Sequence, residues 1–416
     1  MLCLTRLPAS KRVVPYSTLT ATRLFHHTVQ VAQQRALRLP SSHPSLLPIV
    51  LSASNLFITP IPPARDTHIG GFNVATRTRS GDLVNHERVV PFYSSSRLTE
   101  RRPVGYLRPE VAEIMLSVHS EAGEASPWDV LNGTDAYGDK TSAFGFSKEV
   151  ESQGKGARTM HMEKLVKEWK KLGLFKEILK GSSNEAFPVF HHGPTAPVFI
   201  EKSDPLAFSI ERAALPLFGF PNFGSLLIGT DKISLPKVPL THIHPLTAYF
   251  RDKAGQTMLW IPRRSITKKT WPGALDVTVG GGIGIGQSAR DTIVRECVEE
   301  ASLPAHFVQA HARSVGLLPF PNRKPSGWLL PGYYYLFEME LPSDGSIKPC
   351  VNPADGEVDN FELMDMETVL RNLLEGVFKP SSALAVVEFF IRHGFITEDS
   401  DPNFTQVCRA LRRDVM

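Results

Sequence analysis

Three glutamates in the C-terminal half of the chain have the spacing of a metal-binding helix face. Glu296, Glu299 and Glu300 lie at positions i, i+3 and i+4, which brings their side chains to one face of an α-helix. Each like-charged pair at this spacing destabilises an isolated helix by about 0.2–0.5 kcal/mol. A divalent cation removes this repulsion, and oxygen ligands suit Mg²⁺ or Mn²⁺. The pattern predicts a cation site on this helix; a merely solvated glutamate-rich helix is the alternative.

A glycine-rich stretch just before these glutamates suggests a loop that binds phosphate groups. Residues 280–288 read GGGIGIGQS, and glycines let a backbone approach phosphates without interference from side chains. A P-loop needs a lysine where Gln287 stands. A dinucleotide-binding turn needs an acidic residue about 20 positions further on, and the carboxylates come too early for that. We therefore predict a phosphate loop at Gly281–Ser288 whose chemistry is decided by the glutamates after it.

Taken together, the glycines and glutamates resemble the Nudix box. Its pattern is Gly, five residues, Glu, seven residues, Arg-Glu, an aliphatic residue, any residue, Glu-Glu, any residue, Gly and an aliphatic residue. The positions in register are Gly281, Arg295, Glu296, Glu299, Glu300 and Leu303, with Cys297 in the first aliphatic position. Gln287 replaces the first Glu and Ser302 replaces the last Gly. Gln287 keeps an oxygen, so we expect weaker cation binding rather than none.

The resemblance extends beyond the box to thiamin pyrophosphokinase-related Nudix proteins. The stretches LWIPRRSITKKTWPGALDVTVGGG, DGEVDNFELM and GVFKPSSALAVVEFFIRHGFI are similar to their Nudix domain, and RRPVGYLRPEVAEIM and ERAALPLFGF to the domain before it. This resemblance implies an α/β Nudix fold, a mixed β-sheet sandwiched by helices, preceded by a smaller α+β domain. It also implies a metal-dependent diphosphate hydrolase that converts thiamin diphosphate, or its oxidised or damaged analogues, to the monophosphate. The alternatives are a Nudix hydrolase acting on ADP-ribose or a dinucleotide, and a weakly active diphosphate-binding module.

The site residues expected from the sequence and from this resemblance fall into three groups. The metal ligands are Glu296, Glu299 and Glu300. The catalytic residues are Glu299, Glu300, Glu357 as general base or additional ligand, and Arg295, which orients the carboxylates. The substrate-binding residues are Gly281, Gly282, Arg263, Arg264, Lys268 and Trp271, with Lys269 in the same basic cluster. The alternatives are a surface role for Glu357, a solvated rim for the basic cluster and aromatic packing beneath the loop for Trp271.

The N-terminal 65 residues differ in charge from the rest of the chain. They contain seven Lys and Arg and no acidic residue, and removing these seven from 46 leaves 39 basic against 42 acidic residues. The basic balance of the chain therefore lies in this leader, and it does not indicate nucleic-acid binding. Such a leader is typical of an organellar transit peptide and predicts a mitochondrial matrix protein, or a cytoplasmic one if the leader does not function. A disordered tail or an overlong gene model is the alternative.

The remaining composition excludes several classes of protein. The apolar residues 46–61 are interrupted by Pro48, Asn55 and Pro60, so they are too short and broken to cross a membrane. The four cysteines form no CxxC pair, which argues against a zinc site or a disulfide framework. We expect a small-molecule diphosphate substrate and neither nucleic-acid nor membrane partners; the sequence leaves the oligomeric state open.

The order of predicted elements divides the chain into four parts. We expect a leader at 1–65, an N-terminal domain at 66–240 with a polar insertion at about 119–158, a Nudix domain at 241–400 and a C-terminal tail at 401–416. Within the Nudix domain the sequence predicts a hairpin around Asp252–Gly255, a strand before the glycine loop and a helix over Ala289–Ala301 with Ser288 as its N-cap. Further strands and two helices separated by Lys379-Pro380 follow it.

Overall fold

The computed structural model describes residues 36–55, 72–77, 83–95, 103–120, 125–134, 140–180, 185–191, 206–232, 257–324 and 327–413. The helices are α1 Leu47–Ala53, α2 Pro109–Ser120, α3 Lys148–Ser152, α4 Lys155–Leu172, α5 Lys176–Leu179, α6 Leu215–Phe218, α7 Ala289–Ala301, α8 Ala305–His311, α9 Met366–Leu374, α10 Pro380–Arg392 and α11 Phe404–Leu411. The strands are β1 Phe72–Arg77, β2 Leu83–Tyr93, β3 Gly105–Leu107, β4 Trp128–Thr134, β5 Lys140–Phe146, β6 Ala186–Phe190, β7 Leu206–Glu211, β8 Asn222–Lys232, β9 Met258–Arg264, β10 Val279–Gly282, β11 Arg313–Arg323, β12 Leu329–Pro342 and β13 Val358–Asp365.

A six-stranded mixed sheet forms the centre of the C-terminal part. Its order is β11-β12-β8-β9-β13, and β10 pairs with β8 beside β9. Strands β12 and β8 are parallel, whereas the other pairs are antiparallel. One face packs against α9 and α10 through residues such as Val369 and Leu384, and the other packs against α7 and α8 through residues such as Ile293 and Val308. The expected mixed sheet between helices is confirmed.

This sheet takes in a strand from before the expected domain boundary. Strand β8 precedes residue 241, yet it pairs with three strands of the sheet and lies at its centre. Its residues Leu226 and Leu227 point to opposite faces and are both buried, as the alternation of side chains along a strand requires. The sheet therefore includes chain that the sequence assigned to the N-terminal domain. The first strand of the predicted hairpin lies outside the described residues.

The N-terminal part is an α+β unit, as expected from the sequence, and its core is aromatic. Its strands form a sheet of order β1-β2-β5-β4, in which β3 also pairs with β2, and a separate pair of β6 and β7. The expected polar insertion at about 119–158 supplies strands β4 and β5 and helix α3. Trp128, Phe144 and Phe146 from this region are buried, and Phe146 packs edge-on against Phe92. The structure thus corrects the expectation of a polar insertion, because alternate residues of these strands fill the core.

The end of the expected leader is built into the core of the C-terminal part. Helix α1 and its N-cap residue Leu46 pack between α10 and α11, and Leu46, Val50 and Ala53 are fully buried. The backbone N–H of Leu46 donates to Asp401 Oδ2 at 2.8 Å, and that of Leu37 donates to the Phe395 carbonyl at 2.8 Å. Residues 36–55 are therefore structural, which corrects the assignment of 1–65 to a leader. Residues 1–35 lie outside the described residues.

The segment expected to be a C-terminal tail also packs against this core. It contains helix α11, whose Val407, Ala410 and Leu411 are buried with the residues of α1. The structure therefore corrects this assignment as well, because the helix has an apolar face that the neighbouring helices cover. In the described part of the chain, every helix is too short or too polar to cross a membrane.

A buried ion network ties β12 to α10 and α11. Glu338 on β12 accepts hydrogen bonds from Arg392 at 2.5 Å and from His393 Nε2 at 2.8 Å, and Arg392 also pairs with Glu388 at 3.1 Å. Burial alone would raise the pKa of Glu338, but its bonds to His393 and Arg392 hold it below the usual value. Arg412, the C-cap residue of α11, reaches Glu388 at 3.4 Å. The network therefore links strand and helices by charge as well as by packing.

We expect Glu338→Gln to lower the free energy of unfolding at pH 7 by about 3–5 kcal/mol, the usual result of removing one partner of a buried ion pair. A carboxyl whose pKa is lower in the folded than in the unfolded state stabilises the fold at pH values above its unfolded-state pKa. This stabilisation is lost as the pH falls through the folded-state pKa. Urea unfolding should thus show a large difference between variant and wild type at pH 7 and a smaller one at pH 4. Glu362→Gln, on the exposed face of β13, is the control. An equal loss at both pH values would contradict the role of the Glu338 charge.

Candidate metal and diphosphate site

Helix α7, which carries the three glutamates, begins and ends where the sequence predicts. Ser288 caps its N-terminus and forms a reciprocal capping box with Asp291. Ser302 ends it in the left-handed conformation with φ 52°, the backbone shape for which glycine is preferred at a helix C-terminus. The buried face of α7, which includes Ile293 and Cys297, packs against the central sheet. The helix is thus a rigid support for the glutamates.

Arg295 holds two of the glutamates. Its guanidinium donates to Glu296 Oε1 at 2.7 Å and to Glu299 Oε2 at 2.5 Å. Charge-assisted bonds of this kind are short and about twice as strong as neutral ones. Arg295 therefore fixes both carboxylates on one side of the helix.

Glu300 is the most buried of the three glutamates. Its side chain is among the buried residues, at 8% exposure, and its Oε2 accepts the N–H of Gly280 on β10 at 3.3 Å. Burial raises the pKa of Glu300 well above the usual value, and the charges of Glu296 and Asp276 raise it further. Burial also raises the pKa of Glu296, although Arg295 opposes this. Two desolvated carboxyls thus lie side by side.

Glu357 joins this group from outside the helix. It lies just before β13, and its charge contributes to the raised pKa of both Glu296 and Glu300. Its side chain pairs with Lys268 Nζ at 2.5 Å, and its carbonyl accepts the N–H of Ser265 at 2.8 Å. The structure therefore brings together all four glutamates and Lys268 of the predicted site.

The donor set fits a divalent cation, although the carboxylates are not gathered into a ready coordination shell. Among the described residues, no three His, Cys, Asp or Glu side chains are arranged to hold one ion, since Glu296 and Glu299 are turned to Arg295. The fit lies in the chemistry of the donors: Glu300 is desolvated beside other carboxylates, and a dication with oxygen preference offsets such repulsion.

The first glycines of the run form a strand rather than a loop. Gly280, Gly281 and Gly282 belong to β10 and pair with β8, and the connecting loop is residues 283–288. A Cβ atom on Gly281 would lie 1.9 Å from Glu296 Oε1. Glycine is thus required at Gly281 because the glutamate side chain occupies the space of a side chain there.

We expect Gly281→Ala to displace Glu296 and to weaken Mg²⁺ binding about 10–100-fold, the usual effect of disturbing a group that orients a metal ligand. The thermal midpoint should change little, because the three atoms nearest the added Cβ, at 1.9–2.5 Å, all belong to the Glu296 side chain and none to the backbone. Calorimetric titration with Mg²⁺ tests this. Gly156→Ala in α4, where a Cβ would meet nothing within 4 Å, is the control. Unchanged Mg²⁺ affinity in Gly281→Ala would mean that Glu296 is not a ligand.

Gln287 closes the loop instead of facing the carboxylates. Its Oε1 accepts from the N–H of Gly284 at 3.4 Å and from Thr292 Oγ1 at 3.2 Å. Both donors belong to the loop and the first turn of α7. The loss of the expected Glu therefore alters loop closure, and these contacts do not support the expectation that Gln287 weakens cation binding.

The predicted basic cluster is used mainly to shape the loop between β9 and β10. Arg264 donates to the carbonyls of Thr270 and Trp271 and pairs with Asp276 at 2.8 Å. Arg263 donates to the Gly273 carbonyl at 3.0 Å. This corrects the expectation for Arg264, whose guanidinium is occupied by these acceptors and is only slightly exposed. Lys268 is the member of the cluster that reaches the glutamates.

Trp271 lies on this loop with its side chain half exposed. Its backbone is left-handed, with φ 53°, a conformation that is uncommon outside glycine and asparagine. The carbonyl of Trp271 is held by Arg264. The structure therefore does not place the indole in packing beneath the loop, which was the alternative to a substrate contact.

Comparisons with known proteins identify the family of the segment that contains this site. The NUDIX domain model matches residues 245–384. An uncharacterized Nudix hydrolase of Nostoc sp. is 44% identical over 132 residues, which are 32% of this chain and 70% of that protein. The chain belongs to the Nudix family. Nudix hydrolase 20, chloroplastic, of Arabidopsis thaliana is 31% identical over 240 residues, 58% of this chain and 55% of that protein. An uncharacterized protein of Saccharomyces cerevisiae is 32% identical over 179 residues, 40% of this chain and 51% of that protein.

The chain thus spans about half the length of the longer curated relatives that it matches. The matched Nudix domain contains helix α7, the glycine strand and Glu357. Strand β8, to which the glycine strand pairs, lies outside the matched residues.

Sequence reasoning missed Asp276, which lies under the Nudix site. It is buried and accepts hydrogen bonds from Arg264, Lys379 and Ser382. Burial alone would raise the pKa of Asp276, but Lys379 and Arg264 hold it below the usual value. This aspartate ties the loop that carries Lys268 to the N-terminus of α10. Its signal in the sequence is a single acid within the apolar stretch ALDVTV, since a buried charge needs partners.

Proposed function

We propose that the protein hydrolyses a diphosphate linkage in a metal-dependent reaction. The observation that carries this proposal is the burial of Glu300 beside Glu296 and Glu357, with the backbone of Gly280 and Gly281 against them. A buried group of like charges without function would only cost stability. Membership of the Nudix family supports the same reaction class.

Glu296, Glu299 and Glu300 would hold Mg²⁺ or Mn²⁺. When bound, such an ion supplies charge neutralisation at the phosphoryl oxygens. Arg295 keeps Glu296 and Glu299 oriented by its two hydrogen bonds. Glu357, outside the helix and only partly exposed, accepts the proton of the attacking water, and Lys268 beside it binds a phosphoryl oxygen.

Thiamin diphosphate, or an oxidised or damaged analogue, is the substrate that we propose first. The resemblance to thiamin pyrophosphokinase-related proteins supports it, in the upstream unit as well as in the Nudix domain. The exposed indole of Trp271 supports it too, because an aromatic face attracts a cationic thiazolium ring. The products are the monophosphate and inorganic phosphate.

A nucleoside diphosphate derivative such as ADP-ribose or a dinucleotide is the second candidate. It is favoured by the cations near Trp271, because Arg264 donates to the Trp271 carbonyl and Arg263 to the Gly273 carbonyl. These cations favour a neutral ring over a thiazolium. A weakly active diphosphate-binding module is less supported, since Gln287, the residue in its favour, is used to close the loop.

A panel of substrates tests these proposals. Protein that lacks residues 1–35 is incubated with Mg²⁺ or Mn²⁺ and with thiamin diphosphate, its oxo and oxy analogues, ADP-ribose and dinucleotides, and the products are separated. Monophosphate from the thiamin compounds alone supports the first candidate. Cleavage of ADP-ribose but not of the thiamin compounds overturns the first candidate in favour of the second. If no compound is cleaved, with or without metal, the proposed hydrolase activity is overturned.

We also infer that residues 1–35 contain the organellar signal and that the protein acts in the mitochondrial matrix. The acid-free, arginine-containing composition supports this. Processing would have to end before Leu37, because this side chain is buried and its backbone N–H donates to the Phe395 carbonyl. Fluorescent fusions to residues 1–35 test it, and a diffuse cytoplasmic signal would contradict it.

A further inference from the structure

The glycine strand β10 has an open side next to the glutamates. The N–H of Ile283 donates to the Phe223 carbonyl on β8 at 2.9 Å, whereas the N–H of Gly280 points away from β8 to Glu300. Alternate residues of an antiparallel strand direct their amides to opposite sides, so Gly282 directs its N–H to the same side as Gly280. Among the described strands, only β8 pairs with β10. The open side therefore presents the backbone of Gly282 beside the carboxylates.

The two faces of this strand are covered by different parts of the chain. On one face Glu296 fills the space next to Gly281. On the other face Phe187 of β6 fills the space next to Gly282, and a Cβ there would lie 2.7 Å from the ring. The N-terminal unit thus reaches the glycine strand directly.

Arg212 accompanies Phe187 to this position. Its guanidinium carbon lies over the Phe187 ring at 5.1 Å from the centroid and would be 3.7 Å from a Cβ on Gly282. The backbone N–H of Arg212 donates to the Glu185 carbonyl at 2.8 Å, at the end of the hairpin of β6 and β7. The side chain is 47% exposed and pairs with Glu185, itself 41% exposed, at 3.0 Å. It is therefore a positioned guanidinium with one exchangeable, solvated counter-charge.

We propose that Arg212 of the N-terminal unit binds a phosphoryl group of the substrate at the open side of the glycine strand. The glutamates lie on one face of this strand and Arg212 on the other, so a diphosphate along the open side would have both within reach. A planar guanidinium suits phosphate oxygens, and substrate would replace Glu185 as its partner. This inference rests on the proposed diphosphate hydrolysis and gives the N-terminal unit a role in it.

Binding of methylenediphosphonate, a diphosphate mimic that is not hydrolysed, tests the role of Arg212. Calorimetry is done on full-length protein with Mg²⁺ present. We expect Arg212→Gln to bind the mimic about 10-fold more weakly, as the loss of a charged hydrogen bond implies, and Arg212→Lys to recover part of the affinity. Glu185→Gln should bind at least as tightly as wild type because it removes the competing carboxylate. In turnover of any substrate found, Arg212→Gln should raise KM more than it lowers kcat.

A matched control separates binding from folding. Arg108 also lies over an aromatic ring, Trp328, at 4.9 Å and pairs with Glu110 at 2.9 Å. Arg108→Gln therefore removes another arginine–aromatic contact and ion pair, between the N-terminal unit and the start of β12. It should leave affinity for the mimic unchanged. If Arg212→Gln binds like wild type, or if Glu185→Gln weakens binding as much as Arg212→Gln, Arg212 only braces the two units and the assignment fails alone. If wild type binds no mimic, the assignment fails together with the proposed function.

Discussion

A chain that starts at residue 56 is expected to be unfolded or insoluble, whereas one that starts at residue 36 should fold like the full-length protein. The difference is the segment that contains α1, whose Leu46, Leu47 and Val50 are buried between α10 and α11. Burying each Leu or Val side chain stabilises by about 1.5–3 kcal/mol. The segment therefore contributes an amount comparable to the whole stability of a typical domain, about 5–15 kcal/mol.

Thermal and urea unfolding of the two truncated proteins measure this effect. Leu46→Ala and Val50→Ala in the full-length chain extend it, since each leaves a cavity and should cost about 2–5 kcal/mol for the leucine and less for the valine. Ser52→Ala, at an exposed position of the same helix, is the control. A soluble, cooperatively unfolding protein from residue 56 onward would show that α1 is dispensable.

The features that the sequence predicts well are those determined by residues close together in the chain. The bounds of α7 follow from Ser288, Asp291 and the periodic apolar residues, and the convergence of the glutamates follows from helix geometry alone. Long strands such as β12 are also recognisable, because runs of Tyr, Phe and Leu favour pleated structure. The core of the Nudix site is therefore readable from one short segment.

Features that depend on distant pairing could not be read in this way. Helix α1 resembles the basic leader before it in lacking acids, and only its contacts with α10 and Asp401 show that it belongs to the core. Strand β8 is separated from β9 by residues 233–257, so no local pattern assigns it to their sheet. The sequence predicted that Arg264 is available to bind substrate. Its hydrogen-bond acceptors include backbone carbonyls, and such partners cannot be identified from a sequence.

We expect the substitution Glu300→Gln to raise the thermal stability of the metal-free protein and to lower its activity. Burial raises the pKa of Glu300, and neighbouring carboxylates raise it further. A carboxyl whose pKa is raised in the folded state contributes fully to stability only at pH values below its unfolded-state pKa, and this contribution is lost as the pH rises through the folded-state pKa. Near pH 7 the buried carboxyl therefore destabilises the fold, and an amide of similar size removes this destabilisation. The metal-free variant should therefore have a higher thermal midpoint than metal-free wild type.

Activity should fall in the same variant by about 10²–10³-fold, since a ligand to a catalytic ion supports several kcal/mol of transition-state stabilisation. Addition of Mg²⁺ should raise the thermal midpoint of wild type but not that of Glu300→Gln, because only wild type gains binding energy in the folded state. Glu398→Gln, at an exposed position, should match wild type in both respects. If metal-free Glu300→Gln were less stable than metal-free wild type, the buried carboxylate would stabilise the fold through its protein contacts and would not need a cation. If it were stable and fully active, Glu300 would not be a ligand, and the cation would have to be placed by Glu296, Glu299 and Glu357.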